Sequence, residues 1–340
     1  MKLQYITTMA SLLLLLFGNY ASADTVRTAS GVQTGTIGTV TKESVGLTKG
    51  TSTTQIPVNE IIEVSFDNEP FQAKEARQMI QNGQLEDALE KIKSIKLDSL
   101  SGHVKHEIVF MHAATVTKLA LSGSSDKNKA AIQVRAFASM APDNWHYYQA
   151  AQLMGDLAIA SGNYAEATNF YGVLEKAPWP DFKMKALSLT GQSLLAQKKP
   201  TEALVKFNQV LKMKAATPGA NRQKDMANVG KASCLSQTGK PDEGIKLALQ
   251  VIGKGNPKDA ELFAQAYNAL GACYLQKKQP NDAVLAYLHV DILFYGNPEL
   301  HAEALYNLNI AWNQINKPDE AVAARDLLRS RYPGSIWASK

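Results

Sequence analysis

Cysteine, strong charge and long apolar runs are all scarce in this 340-residue sequence. Its two cysteines cannot build the disulfide framework on which small secreted domains depend. The formal net charge is only +5 and the basic residues are spread out, which argues against a nucleic-acid-binding stripe. No phosphate-cradling glycine loop occurs, and no histidine lies near Ser236 and Asp242, so a hydrolytic triad has no support. We therefore expect a protein that is not an enzyme.

The longest apolar run lies at the start of the chain. Lys2 precedes a leucine-rich run over residues 9–17, and small residues follow at 21–23. This pattern predicts a secretory signal peptide over residues 1–23, with cleavage before Asp24. The run is too short to span a bilayer comfortably, although a retained N-terminal anchor is the alternative. We expect an exported protein of the periplasm or cell envelope, with no stable membrane span after cleavage.

Residues 24–68 differ in composition from the rest of the chain. Threonine, valine and isoleucine alternate at period two, and glycines interrupt the alternation. This predicts four or five short strands, with Pro57 at an edge, a strand start or a bulge, because proline cannot donate to a ladder. So small a domain barely buries a core alone. We expect a small barrel or curled sheet that packs on the helices or on a second molecule.

The segments 35–41, 43–47, 55–58 and 60–64 follow one another in an order that resembles the strands of small SH3-like and Sm-like barrels. The resemblance implies a small all-β, barrel-like domain. Sm proteins bind RNA, but the loop residues that they use are not recognisable here. That activity is therefore not expected of this chain.

From residue 70 onward the hydrophobic period is that of helices, and a short turn pattern keeps returning. It reads Ser-Gly-Asn-Tyr-Ala-Glu-Ala over residues 161–167 and Asn-Lys-Pro-Asp-Glu-Ala over residues 316–321. Its last small residue recurs at intervals of 36 to 41 residues, a period typical of stacked helical hairpins. The copies end at Ala167, Ala203, Gly244, Ala283 and Ala321. We predict about seven hairpins over residues 70–340, the fifth beginning at Arg222.

Short helices are marginal in water alone, so these hairpins must stack, and close stacking needs small residues where helices touch. On the first helices of the hairpins these are Gly155, Gly191, Ala232 and Gly271. The second helices supply large residues to fill the layers, namely Tyr171, Phe207 and Tyr287. The repeat pattern contains, in this order, a small residue, an aromatic residue, a turn, an alanine and a second aromatic residue. This order resembles that of the tetratricopeptide repeat family. The resemblance implies a mainly α superhelix.

The cysteines Cys234 and Cys273 fall at the same place in successive repeats. Axes of neighbouring helices lie about 8–10 Å apart, which is generally too far for a relaxed disulfide. We predict two buried thiols that act as small apolar fillers.

A stacked array of this kind has a concave groove lined by the first helices. The side chains that flank the small positions should face it, and they are polar and mostly uncharged. They are Gln149, Gln152, Asp156, Lys185, Ser188, Gln192, Ser233, Gln265, Asn268, Glu303, Tyr306 and Asn313. Tetratricopeptide proteins are mostly scaffolds, so the resemblance implies a protein or peptide partner in this groove. No cofactor is expected, and the sequence leaves the oligomeric state open.

Two clusters offer alternatives. His103, His106 and Glu107 lie within one turn of a helix, with His112 further on, so a zinc site competes with a plain polar helix face. The aromatic residues at 145–148 favour packing between repeats, with a ligand-stacking platform as the alternative. A third hypothesis is a structural protein that assembles through exposed edges of the β-domain.

Overall fold

The fold is mainly α, and it begins with a small β-sheet. The computed structural model describes residues 23–340, so the predicted signal peptide lies outside the described residues except for Ala23. Within this range, fourteen helices packed as sequential pairs follow a five-stranded antiparallel sheet. The predicted order of a β-region and a tetratricopeptide-like superhelix is confirmed.

The sheet is open, which corrects the expectation of a barrel. Its spatial order is β4-β3-β2-β1-β5, and β1 pairs with both β2 and β5. The two outer strands, β4 and β5, are not hydrogen-bonded to each other. Pro57 ends the edge strand β4, where a missing amide donor is tolerated. The strands are β1 (Asp24–Thr28), β2 (Gly31–Val40), β3 (Ser44–Lys49), β4 (Ser52–Pro57) and β5 (Ile61–Ser65).

Helices, and not a closing strand pair, cover the apolar face of the sheet. Val26, Val45 and Val64 are fully buried there and belong to one core cluster with Trp145 and Val104 of the helical region. Burying valine side chains in this way stabilises the fold by about 1.5–3 kcal/mol each. This docking is how a sheet of so few residues obtains a core.

The helices form seven antiparallel pairs, each joined by a short turn. The first helix of each pair has an odd number and the second an even number. They are α1 (Phe71–Gln81), α2 (Leu85–Lys93), α3 (Gly102–Ser122), α4 (Lys127–Met140), α5 (Tyr147–Ala160), α6 (Tyr164–Glu175), α7 (Pro180–Ala196), α8 (Pro200–Lys212), α9 (Pro218–Gln237), α10 (Pro241–Lys254), α11 (Ala260–Gln276), α12 (Pro280–Leu293), α13 (Pro298–Gln314) and α14 (Pro318–Arg331).

Helix α9 begins at Pro218, earlier than the predicted start at Arg222. Thr217 precedes it, and the threonine Oγ1 accepts a hydrogen bond from the amide of Ala220 at 3.1 Å. Proline suits the first helical position because that position needs no amide donor. The Pro-Gly pair of residues 218–219 therefore opens the helix.

Glycines of the first helices lie against aromatic rings of the second helices. A β-carbon on Gly191 would lie 2.8 Å from Cζ of Phe207, and one on Gly271 would lie 2.5 Å from Cζ of Tyr287. Both rings are fully buried. Small residues are therefore required at these contacts, as the repeat pattern predicted.

The two cysteines are free and buried in the same stacked layers. The thiol of Cys273 lies 3.7 Å from the carbonyl oxygen of Ala232. Burial raises the pKa of Cys234 to about 12 and that of Cys273 to about 11. Both thiols are therefore protonated at neutral pH, and the prediction of small apolar fillers is confirmed.

Candidate functional site

The stack of hairpins curves so strongly that the seventh hairpin contacts the second hairpin. Helix α13 packs against α3, in addition to its neighbours in sequence. At this junction the backbone of Gly334, just beyond α14, meets Gly123 at the end of α3, and a β-carbon on Gly334 would lie 2.5 Å from Cα of Gly123. Lys127 reinforces the contact, since its Nζ lies 3.5 Å from the carbonyl oxygen of Gly334. The odd-numbered helices thus surround one concave surface, which we call the groove.

The groove is narrow. Gln192 on α7 donates from Nε2 to Oε1 of Gln265 on α11 at 3.3 Å, although α9 lies between these helices along the chain. Two side chains therefore span the groove at this level. A ligand at this level must displace that hydrogen bond.

A cluster of charged side chains from five helices meets in the groove. We call it the central cluster, and its members lie close enough for each charge to affect the protonation of others. It consists of Lys118 on α3, Asp156 on α5, Lys185 on α7, Glu261 on α11, and Glu299 and Glu303 on α13.

Asp156 has the densest set of partners. Its Oδ1 accepts from the hydroxyl of Tyr171 at 2.8 Å, and its Oδ2 accepts from Nε2 of Gln152 at 3.5 Å. Burial raises the pKa of Asp156 to about 6, with a contribution from Glu261, while Tyr171 and Lys185 act in the opposite direction. Near neutral pH the protonated and the ionised forms of this carboxyl group therefore differ little in free energy.

The two glutamates of α13 behave similarly. Burial raises the pKa of Glu299 to about 7, with Asp156 raising it further and Lys127 lowering it. Burial also raises the pKa of Glu303 to about 7, which Lys340 lowers and Glu299 raises. Glu303 accepts from Nδ2 of Asn268 at 3.3 Å. These carboxyl groups are partly uncharged at neutral pH and are available to a cationic or hydrogen-bonding ligand.

The lysines of the cluster keep contact with water. Lys118 is exposed, yet its surroundings lower its pKa, chiefly by burial and against the charge of Glu261. Burial lowers the pKa of Lys185 as well, while Glu261 and Asp156 favour its charged form.

The structure brings most of the predicted groove residues together. Beyond those already described, Tyr306 lies next to Glu303 on α13, one turn further on. Asn268 is buried beneath this surface, where it donates to the carbonyl oxygen of Leu300 and to Glu303. The members that share the surface are Gln152, Asp156, Lys185, Gln192, Gln265, Glu303 and Tyr306. Their role in binding stays a prediction.

The remaining four predicted residues are placed differently. Ser188 is buried, and its hydroxyl has no partner among the described residues. Ser233 and Asn313 bond to carbonyl oxygens of their own helices, those of Val229 and Asn309. Gln149 is exposed and bonds to the ring of His146. Nothing connects these four to the central cluster.

The expectation of a mostly uncharged lining is wrong. Sequence analysis missed Lys118, Glu261 and Glu299, which belong to the central cluster. Glu261 and Glu299 lie one helical turn before the predicted residues Gln265 and Glu303, so extending the same face by four residues would have found them. Lys118 lies in the hairpin whose repeat pattern is weakest, and no local signal marks it.

The histidine cluster does not converge. The Nε2 of His103 bonds to the carbonyl oxygen of Gly38 at 2.9 Å. Glu107 turns into the core, where it accepts from His146 at 2.9 Å and from Trp145 at 3.3 Å. In residues 23–340, no group of three or more histidine, cysteine, aspartate or glutamate side chains is arranged to hold a metal ion.

The aromatic cluster at residues 145–148 is part of the core. Trp145, His146 and Tyr148 are buried, and the ring of His146 stacks on Phe110 with centroids 3.6 Å apart. The packing interpretation is confirmed. Across residues 23–340, no helix has the length and apolar character needed to cross a membrane.

Comparison with known proteins identifies no family. No family model matches the chain, and no curated protein matches it. Among solved structures, the chain is similar to a tetratricopeptide repeat protein from Parabacteroides merdae, with 16% identity over 76% of this chain and 91% of that chain and a TM-score of 0.48.

Two other solved structures are similar at a comparable level. One is PilW, a widely conserved type IV pilus biogenesis factor, with 14% identity over 70% of this chain and 98% of that chain and a TM-score of 0.42. The other is a Rap protein complexed with competence and sporulation factor, with 14% identity over 78% and 76% of the chains and a TM-score of 0.46. These TM-scores are too low to carry an argument about family or function.

Proposed function

We propose that this chain is a non-enzymatic scaffold that binds an extended segment of a protein partner in its groove. The observation that carries the proposal is the central cluster, in which charged side chains from five helices converge on one concave surface. Such a surface offers both signs of charge and several hydrogen-bonding groups to a polypeptide. An extended segment fits this proposal better than a folded domain, because it needs to separate only the Gln192 and Gln265 side chains to enter the groove.

Site-specific photo-cross-linking tests this function. A photoreactive residue at Gln192 faces the groove, whereas one at Gln250 is exposed on the second helix α10 and serves as the matched control. We expect the first position alone to give a discrete cross-linked partner, and Lys185→Glu to reduce the yield by about tenfold or more, because it reverses a charge in the groove. Equal cross-linking at both positions would contradict the proposal.

We further propose that the scaffold works in the cell envelope after export. The support is the leader pattern of residues 1–23, which precedes the first strand. N-terminal sequencing of the protein from an envelope fraction should give Asp24 as the first residue. A chain that retains Met1 in the cytoplasmic fraction would contradict the export proposal. It would leave the proposed binding function of the groove unaffected.

A second candidate function is assembly through the sheet, whose SH3-like or Sm-like nature also remains a proposal. Strand β4 has only one neighbour, and Thr53, Thr54 and Gln55 are exposed along it. An unpaired edge of this kind can accept a strand from another copy. Light scattering should then give an oligomer that Thr54→Lys converts to a monomer. A monomeric parent chain would exclude this candidate.

A further inference from the structure

The last residues of the chain fold back onto the groove. Helix α14 ends at Arg331, and Tyr332 is buried behind it. The hydroxyl of Tyr332 bonds to Nδ1 of His301 at 2.7 Å, and Nε2 of His301 bonds to Asp291 at 2.7 Å. This chain of hydrogen bonds fixes the point from which the final segment departs. We call residues 335–340 the tail.

The tail lies against α13 at the edge of the central cluster. The indole of Trp337 packs on the ring of Tyr306, with centroids 5.4 Å apart. The ammonium of Lys340 lies 3.5 Å from the centroid of Trp337 and 5.5 Å from that of Tyr306. A cation over aromatic faces at these distances is a favourable contact. Against the effect of burial, the positive charge of Lys340 also lowers the pKa of Glu303 on the same helix α13, so the carboxylate form is favoured by the ammonium.

The contact differs from permanent core packing. Tyr332 is 4% exposed and hydrogen-bonded, whereas Trp337 is only partly buried and Lys340 is exposed. The chain is thus fixed through Tyr332, Gly334 and the buried Ser335, and residues 336–340 lie at the surface beyond them. Its backbone bonds are local ones, such as the amide of Trp337 to Oγ of Ser335 at 3.3 Å. Trp337, Ala338 and Lys340 make the contacts to the α13 region, and all three are at least partly exposed, so a competitor can replace them.

We propose that the tail is a built-in occupant of the groove, and that the site beneath it takes a peptide in which an aromatic residue precedes a lysine by three positions. This inference rests on the proposed function, because it names the chemistry of the segment that the groove binds. The aromatic side chain takes the place of Trp337 on Tyr306, and the lysine takes the place of Lys340 beside Glu303. The tail therefore competes with the partner for one site.

The competition is strong because the tail is tethered. A short tether gives its segment an effective concentration of about millimolar at the site. A free peptide of equal intrinsic affinity must reach a similar concentration before it occupies half of the sites. The apparent affinity rises as the fraction of molecules with an open site rises. Weakening the tail should therefore strengthen peptide binding.

A titration with the tail sequence itself tests this inference. The probe is a fluorescein-labelled, amidated peptide Ser-Ile-Trp-Ala-Ser-Lys, and binding is followed by anisotropy. We compare the full chain with the full-length double variant Trp337→Ala/Lys340→Ala, whose tail no longer fills the site. The double variant should bind the probe about tenfold or more tightly than the parent chain. Ile336→Ala, which changes an exposed tail residue, should bind as the parent does.

Further variants locate the bound probe. In the double-variant background, Tyr306→Ala and Glu303→Gln should each weaken probe binding by about fivefold or more, since they remove the aromatic and the carboxylate partner. Equal affinity in the parent and the double variant would overturn the proposal, because the tail would then be only a cap on the array. Tight binding of the probe that is unaffected by Tyr306→Ala and Glu303→Gln would also overturn the proposal.

Hydrogen exchange on the unmodified chain gives an independent readout. Saturating probe should speed exchange at the amides of Trp337 and Ala338, because their local bonds to Ser335 open more readily once the tail is no longer held on α13. Unchanged exchange in the presence of bound probe would contradict displacement. If these tests fail while cross-linking at Gln192 persists, only the inference about the tail is wrong. The proposed scaffold function is then unaffected.

Discussion

At the scale of single residues, glycine positions on the first helices set how closely the hairpins stack. Gly271 meets the ring of Tyr287, and Gly191 meets that of Phe207. Gly230 approaches the same phenylalanine from α9, so one ring fills the space left by two glycines. Repeat analysis selected Ala232 on α9 and missed Gly230, because a small residue alone does not show which neighbour it meets.

Gly271→Ala should destabilise the protein in spite of the higher helix propensity of alanine. The new methyl group would meet a fully buried ring, and overpacking of this kind costs about 1–3 kcal/mol, against a propensity gain of about 1 kcal/mol. We expect a net loss of up to about 2 kcal/mol in urea unfolding. Gly172→Ala in α6 is the control, since no atom lies near its β-carbon position, and it should stabilise the protein. A gain from both substitutions would refute the packing argument.

At the scale of elements, most hairpins share one turn. Two residues beyond the first helix of the hairpin, the backbone is left-handed, with φ of 77° at Gly239 after α9 and 58° at Lys278 after α11. The next amide bonds back to the helix, as from Lys240 to Leu235 at 2.9 Å and from Gln279 to Tyr274 at 2.9 Å. This is the Schellman arrangement in which glycine is preferred, so lysine is strained there.

A reciprocal exchange tests the turn. Lys278→Gly should raise the free energy of unfolding by about 0.5–1 kcal/mol, because it relieves a left-handed lysine. Gly239→Lys, at the equivalent place one repeat earlier, should lower it by about 1 kcal/mol. Both positions are exposed, so packing does not enter. Thermal unfolding of the two variants gives the comparison, and shifts of the same sign would contradict it.

The helices and turns were the most predictable part of this structure, because the local sequence determines where they begin. Helix α4 begins at Lys127, as predicted, since Asp126 caps it by accepting from the amide of Lys129 at 2.8 Å. The sequence does not predict the early start of α9 at Pro218, because a Pro-Gly pair is more typical of a turn than of a helix start. The junction of α13 with α3 was beyond sequence reasoning, since curvature accumulates from small rotations at every repeat.

At the scale of the whole molecule, the central cluster links stability to pH. Glu299 and Glu303 have pKa values of about 7 in the folded protein, against about 4.3 in an unfolded chain. Between these values the folded state holds more protons than the unfolded state. The contribution of these two carboxyl groups to the free energy of unfolding should therefore fall as the pH rises from about 4.5 to about 7.

Glu303→Gln tests this dependence. At pH 8 it should raise the free energy of unfolding by about 1 kcal/mol, an estimate that allows for partial contact of the carboxylate with water. At pH 4.5 it should change little, because the parent carboxyl is already protonated. Urea unfolding at the two pH values measures both effects, with Glu320→Gln on the exposed start of α14 as the control. A loss of stability at pH 8 would show that Lys340 holds the carboxylate charged.

The meeting of Gly123 with Gly334 has a consequence for how this array comes apart. A linear stack of repeats can fray from either end, because each repeat is held only by its neighbours. Here the last hairpin is also held by the second one, and Lys127 reaches across to it. Unzipping from the C-terminus must first break that long-range bond, so the second to seventh hairpins should melt as one cooperative unit.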